Sequence, residues 1–464
     1  MATSRRHFIT LGAAGAVLAA GGWAVWANAD KSASSSQSEK HHVNKEHTLD
    51  TIIIGAGAAG LAAAKRLQQA GRSVLILEAR DRIGGRVWSD LQFGDGKAVI
   101  ELGAELFHGD EHHNSLWQIA HRQHIRTYPI TREFLRFSDA GEWVSADSAQ
   151  AYAFPKGTPP KPADFAPRRA DHSAETYLNR LGIAKDNRPL ALLASALDSE
   201  QFDKMSAEEM AEFLPELWQA DHSKSGKFQD YKLPDGYENI ISYLADGLPI
   251  QLGSVVQAVR DKGDSVQIDV LLNGEVTQFS AKTCIVTVPA PLLLQNKIHF
   301  TPALPKQKIQ ALRDGEQIPV VKMMMAFDGK PLPDDAELMV DFSQNVPCIW
   351  QASAGSTYHG QILVGWATGD NARRLLAQSE SQRYAEMLAA VRHISRQPEL
   401  HYQKVISHDW QSDPYALGAY GYWENEAEIL RPHGNVYWAG MVMSQVDFAY
   451  DSGVKAAERI LSNL

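Results

Sequence analysis

The chain has 464 residues, 44% of them hydrophobic and 22% charged, with a net charge of -10. That is ample apolar material for packed cores, and the length suggests two or three structural units. The charges are scattered and no basic face is sustained, which argues against a nucleic-acid partner and suits a soluble surface that also attracts cations.

The first element is an address. Ser4-Arg5-Arg6-His7-Phe8-Ile9 precedes a Gly/Ala-rich apolar stretch from Leu11 to Trp26, and Ala27-Asn28-Ala29 offers small residues for cleavage. A charged region, an apolar region and a cut site in this order read as a signal peptide over 1–29. The paired arginines resemble a twin-arginine signal, which implies the twin-arginine translocation machinery as a partner and a periplasmic or otherwise exported protein. An uncleaved membrane anchor is the alternative, and the short, Gly-rich stretch disfavours it. Residues 30–47 are rich in Ser, Lys and His and read as a disordered linker.

From Asp50 the pattern changes. Asp50-Thr51-Ile52-Ile53-Ile54 predicts a buried strand, Gly55-Ala56-Gly57-Ala58-Ala59-Gly60 a turn entering a helix that runs to Ala70, and Ser73 to Leu77 a second strand ending at Glu78. Each part has a physical role in holding a dinucleotide. Gly55 permits the tight turn, Gly57 lets backbone approach a pyrophosphate, and Gly60 lets the helix pack close to the sheet. The helix N-terminus, opened by Ala58 and Ala59, receives the phosphates, and Glu78 accepts hydrogen bonds from ribose hydroxyls.

Downstream, Tyr152 to Arg169 is Pro-rich and reads as an ordered loop, and Ser206 to Trp218 as a helix opened by a capping box. Leu233-Pro234-Asp235-Gly236-Tyr237 is a turn before a helix to Leu244, and Val255 to Val270 forms two strands about Lys262-Gly263-Asp264. Cys284 to Pro289 is a buried strand. Val320 to Phe327 is another, its methionines read as core packing, and a helix runs from Ser379 to Ile394. The two cysteines, Cys284 and Cys348, sit in apolar runs and read as buried thiols; a disulfide is left open, and no spacing suggests a metal site.

Arg80-Asp81-Arg82-Ile83-Gly84-Gly85-Arg86-Val87 resembles the segment that follows the ribose-binding acid in the flavin amine oxidase family. The resemblance continues in Ile100–Gly109, the segment that passes the flavin into the substrate cavity, and in Asn296-Lys297-Ile298-His299-Phe300. It extends through Trp410 to Tyr415, Gly418-Ala419-Tyr420, Val436 to Gly440 and Asp451 to Ala457. It implies an α/β fold: a Rossmann-like, doubly wound FAD domain at 48–114, 232–300 and 405–464, with an α+β substrate domain inserted at 115–231 and 301–404. It also implies FAD as cofactor, held by Gly55, Gly57, Ala59, Gly60, Glu78, Arg80, Gly85, Arg86, Val256, Gly440 and Met441. Lys297 takes the place of a lysine that reaches flavin N5 through a water, and Tyr420 with Trp410 forms an aromatic wall.

Departures refine the expectation. The family's acid after Ala-Gly is Met441, and the glycine at the last helix's entry is Phe448. The cysteine that bonds flavin covalently in monoamine oxidases is Ala419, so FAD is expected to be non-covalent. The second cage tyrosine aligns at Gln445. Leu106 replaces the arginine of L-amino-acid oxidases, whereas Glu105 and His108 are placed to face a cationic substrate. The resemblance thus implies oxidation of a small-molecule amine to an imine, with hydride passing to flavin N5 and oxygen or another acceptor taking the electrons. A desaturase or porphyrinogen-type oxidase and a non-catalytic flavoprotein are the alternatives.

Overall fold

The computed structural model describes residues 49–129, 134–137, 143–145, 165–182, 206–208, 210–211, 230–333, 338–341, 343–423 and 425–463. The expected signal peptide and linker lie outside these residues, as do most of the 152–169 loop and of the 206–218 helix. The rest falls into two compact units.

The unit of 49–85, 238–314 and 425–463 is built on the strand Leu49–Ile54. It pairs in parallel with Val74–Leu77 on one side and with the end of the long strand Glu275–Val286 on the other, and that strand pairs in parallel with Val436–Trp438. Parallel strands covered on both faces need continuous apolar runs, and III, VLIL, CIV and VYW supply them. Glu275–Val286 changes character along its length. Its first residues are exposed in an antiparallel ribbon with Val266–Leu272, and its last four are buried between parallel neighbours. The sheet order, from Ile250–Gln251 through Val74–Leu77, Leu49–Ile54, Glu275–Val286, Val266–Leu272 and Ser254–Asp261 to His299–Thr301, is the expected α/β arrangement.

Two helices pack together in this unit, Ala58–Gln69 and Val446–Ser462. Their approach requires glycine. A Cβ on Gly453 would lie 2.0 Å from the Ala59 carbonyl oxygen, and one on Gly60 would lie 2.0 Å from the Gly55 oxygen. The last helix begins at Val446, so Phe448 and the stretch from Asp451 to Ala457 both lie within it.

The unit of 86–237 and 315–424 carries a seven-stranded sheet with the order 404–407, 320–327, 361–368, 348–351, 338–340, 134–137, 143–145. The central strand Val320–Phe327 is buried at every position. Alternate side chains enter opposite layers. Val321, Met323, Met325 and Phe327 pack with Ala372, Leu375, Met387, Val391 and Ile394 of the helices Gly369–Leu376 and Glu380–Ser395. Met324 and Ala326 pack with Phe93, Ala98, Val99, Ile100 and Leu102.

That second layer corrects the expected domain boundaries. Residues 86–114 and 405–424 belong with the seven-stranded unit, because the hairpin Ser89–Gly94 and Ala98–Glu101 supplies one of its cores. Residues 301–314 belong with the parallel-sheet unit.

Candidate active site

In the parallel-sheet unit the glycine turn forms a cradle of bare backbone. Gly55 has φ +108°, and a Cβ there would lie 2.5 Å from Thr287 Oγ1. Gly57 is the N-cap of helix Ala58–Gln69; no side chain caps this end and no acid sits in the first turn. Its backbone N–H groups and dipole are therefore suited to an anion. A Cβ on Gly57 would come no nearer than 3.9 Å to the Gly84 oxygen, and Gly85 lies across from the Gly57 Cα. The strip Gly57, Gly84 and Gly85 thus presents backbone without side chains.

Glu78 ends the second strand and is buried. One carboxylate oxygen accepts from the Ala56 N–H at 2.7 Å and the other from the Arg80 N–H at 2.9 Å. Burial pushes its carboxyl up, opposed by these bonds and by Arg80 and Arg82. The two backbone donors fix the carboxylate and leave it further lone pairs for hydroxyl donors. Val256 is buried on the strand Ser254–Asp261. Gly440, at φ +68°, donates to Ser452 Oγ at 2.8 Å, and a Cβ there would meet Ala59 Cβ at 2.4 Å. Met441 is buried, and its carbonyl accepts from Ala290 N at 3.3 Å. An uncapped helix start, a glycine strip and a buried, oriented acid fit the diphosphate and ribose of FAD.

In the seven-stranded unit the segment from Glu101 to His108 carries the ionisable groups. Glu101 accepts from Ser89 Oγ at 2.8 Å and from Tyr237 N at 2.9 Å, and burial pushes its carboxyl up to about 8. Gly103 allows close packing: a Cβ there would lie 1.9 Å from the Arg86 carbonyl oxygen. Glu105 forms a buried ion pair with Lys322 at 2.5 Å. Lys322 also donates to the Gly103 carbonyl at 3.0 Å. His108 is half-buried, with Nδ1 2.8 Å from the fully buried Asp230 carboxylate. Arg86 donates to the Ala419 carbonyl at 2.7 Å, and desolvation lowers its guanidinium to about 10.

The aromatic residues belong to the same unit. Trp410 is buried and donates its indole N–H to the Leu102 carbonyl at 2.9 Å. It meets His408 edge-on at 4.5 Å and Trp88 at 6.5 Å between ring centroids. His408 Nε2 lies 2.9 Å from the buried Asp413 carboxylate. Tyr420 is half-buried on the strand Tyr420–Tyr422, opposite Ile318.

Three of the expected positions have distinctive settings. Lys297 is exposed, between exposed Asn296 and buried Ile298, just past the helix Ala290–Leu294. A solvated ammonium there lacks the desolvated setting that makes a charge effective, whereas Lys322 has one. Lys322, on the strand whose methionines are expected as core packing, is by contrast a buried ammonium. Its signal is nonetheless in the sequence: a single charge within VVKMMMAF. Glu105 does not offer an uncompensated charge to a cationic substrate, because Lys322 already pairs with it. Gln445 is the N-cap of helix Val446–Ser462, and its Oε1 is buried without a hydrogen-bond partner among the described residues.

Comparison with known proteins shows the family and the fold. The family model described as flavin containing amine oxidoreductase matches residues 58–231 and 217–461. The chain is 26% identical to polyamine oxidase 4 of Oryza sativa subsp. japonica over 435 residues, 88% of this chain and 87% of that one. It is 25% identical to human (Homo sapiens) lysine-specific histone demethylase 2 over 89% of this chain and 53% of the other. Its fold is similar to that of putrescine oxidase bound to putrescine, with a TM-score of 0.69 at 21% identity over 89% of this chain and 99% of that one. It is also similar to cyclohexylamine oxidase from Brevibacterium oxydans, with a TM-score of 0.67 at 21% identity over 90% and 99%. With the glycine cradle and the buried acid in place, the chain belongs to the flavin-containing amine oxidoreductase family and is an FAD-dependent enzyme of that family.

Proposed function

We propose that this enzyme oxidises a primary amine or a polyamine to an imine, which water then hydrolyses to an aldehyde, with FAD held non-covalently. Bound FAD supplies the hydride acceptor, and oxygen or another acceptor takes the electrons onward. The observation that carries the reading is Lys322, a buried ammonium tied to the Gly103 and Glu105 segment. The family resemblance assigns that segment to the flavin's surroundings and assigns a lysine to the reaction centre.

The chain's own residues then divide the work. Trp410 and Tyr420 wall the amine. An aromatic surface accepts a cation on entry and favours the neutral amine, whose lone pair is needed when the carbon gives up hydride. Asp230 holds His108 through Nδ1, which leaves Nε2 to meet a substrate nitrogen. A relative named polyamine oxidase and a fold neighbour bound to putrescine support an amine of this class. Anaerobic mixing with primary amines, secondary amines and polyamines tests the reading, with flavin absorbance as the readout. Bleaching by at least one amine class is expected. Bleaching by none, with FAD fully loaded, would favour a non-catalytic flavoprotein.

We also infer export through the twin-arginine route, on the strength of Arg5 and Arg6 ahead of an apolar stretch. This route carries folded proteins, which suits a cofactor loaded beforehand. Arg5→Lys with Arg6→Lys is expected to leave flavin-loaded protein in the cytoplasm, and normal export of that variant would remove the inference.

A further inference from the structure

The strand Val320–Phe327 places one ammonium inside a core. Lys322 shares the parity of Met324 and Ala326, so its side chain enters the layer formed with Ile100 and Leu102, where Gly103 and Glu105 follow in sequence. Both partners of the ion pair are more than nine-tenths buried, at 4% and 5% side-chain exposure. A buried ammonium without a counter-charge is strongly disfavoured, and a long lysine stem without an anchor is free to change rotamer.

Two carboxyls neighbour this lysine, and their settings differ. Glu101 is already held by Ser89 Oγ and the Tyr237 N–H, and burial keeps its proton on near neutral pH. Glu105 is the carboxylate in direct contact with the ammonium. Glu105 and the Gly103 carbonyl are the lysine's contacts among the described residues. An ammonium carries three donors, so at least one is left for a water or a ligand. The carbonyl sets its direction and the carboxylate its charge.

We propose that Glu105 is a positioning residue of the reaction centre: it fixes the Lys322 ammonium against the Gly103 carbonyl and acts on the reaction only through that lysine. The proposal rests on the reading of Lys322 given under Proposed function. It separates Glu105 from the groups that meet substrate. A residue that contacted the amine would change substrate affinity whether or not the lysine were present. A residue acting through Lys322 has its effect abolished once the lysine is gone.

The test is a double-mutant cycle of Glu105→Gln, Lys322→Met and the double variant, each as the FAD-loaded enzyme, with Glu105→Asp as rescue. Two readouts are taken: the rate of flavin reduction by an amine, resolved into limiting rate and apparent affinity, and the affinity of the oxidised flavin for sulfite, followed by absorbance. Glu105→Gln is expected to lower the limiting rate about tenfold with affinity changed less than about twofold, and Glu105→Asp to recover most of it. In the Lys322→Met background the same substitution is expected to change rate and sulfite affinity by less than about twofold. An undiminished effect in that background overturns the proposal, as does wild-type behaviour of Glu105→Gln. Should Glu105→Gln fail to hold FAD, Lys322→Met is compared with Glu105→Leu/Lys322→Met, where apolar groups replace the pair. Equal rates support the proposal, and a further fall beyond about threefold overturns it. Sulfite titration needs no turnover, so coupling between Glu105 and Lys322 remains measurable even if no amine proves to be a substrate. Failure of the amine-oxidation reading is thereby distinguished from failure of this one.

Discussion

The Glu101 carboxyl accepts the backbone N–H of Tyr237 at 2.9 Å across 136 residues of sequence, and the same acid accepts from Ser89 Oγ. The bond joins the hairpin to the turn after Lys232, the turn that Leu233 to Tyr237 builds. Burial pushes this carboxyl up to about 8, against an ordinary value of 4.5. The folded protein therefore keeps a proton on Glu101 that the unfolded chain releases.

The sign of the consequence follows from linkage. A carboxyl whose folded value lies above its unfolded value stabilises fully below about pH 4.5 and loses that contribution as pH rises through about 8. Glu101→Gln keeps the shape of the neutral acid and removes the titration. Its melting temperature is expected to exceed that of the wild type more at pH 8 than at pH 5. Thermal melts across this range check it, and a constant difference between the two proteins would place the titration elsewhere.

Glu78→Ala removes the acceptor for two backbone N–H groups and for the ribose hydroxyls that the buried acid is placed to meet. A hydrogen bond to a charged group contributes about 1.5–3 kcal/mol, so FAD affinity is expected to fall about tenfold to a hundredfold. Dilution followed by fluorescence of released FAD measures it. Unchanged retention would remove Glu78 from the cofactor's contacts.

The segment from Asp50 to Glu78 is legible in the sequence because its meaning is local. Strand, turn, helix, strand and acid follow one another, and Gly60 answers the Gly55 oxygen five residues before it. The setting of Lys322 is not legible in the same way. Lys322 and the Gly103 carbonyl are 219 residues apart, and their meeting depends on which face of Val320–Phe327 turns toward the hairpin. Similarity of short stretches favours Lys297 because Ile298-His299-Phe300 follows it, but similarity carries no information on burial. The domain boundaries differ for a related reason: the hairpin at 89–101 continues the dinucleotide segment in sequence yet supplies a core to the other unit.

Ala419 offers no thiol to the flavin, and both cysteines are free and buried. Burial pushes the Cys348 thiol up to about 12 and the Cys284 thiol higher still, so neither is an available nucleophile in the folded protein. Acid precipitation is expected to leave the yellow flavin in the supernatant, and a thiol reagent to find no reactive cysteine until denaturant is added. Flavin retained in the pellet would contradict non-covalent binding, and rapid labelling of the native protein would contradict the burial.

The two lysines give the sharpest contrast. Lys297 is exposed and Lys322 is buried in an ion pair, so the same substitution has different physical content at the two positions. Lys→Met keeps most of the stem and deletes the charge. At position 297 it removes a solvated ammonium, and surface substitutions of this kind change little. At position 322 it removes a preorganised charge from a desolvated site, where one such group is worth on the order of 10²-fold in rate. Lys322→Met is therefore expected to load FAD and to slow flavin reduction or reoxidation by about that factor, while Lys297→Met stays within about threefold of the wild type. Stopped-flow measurement of both half-reactions decides between them. A large loss at 297 with a small one at 322 would return the role to Lys297. Large losses at both would mean that Lys297 acts on the cofactor from its exposed position, and FAD content measured alongside would show whether that action is on binding or on rate.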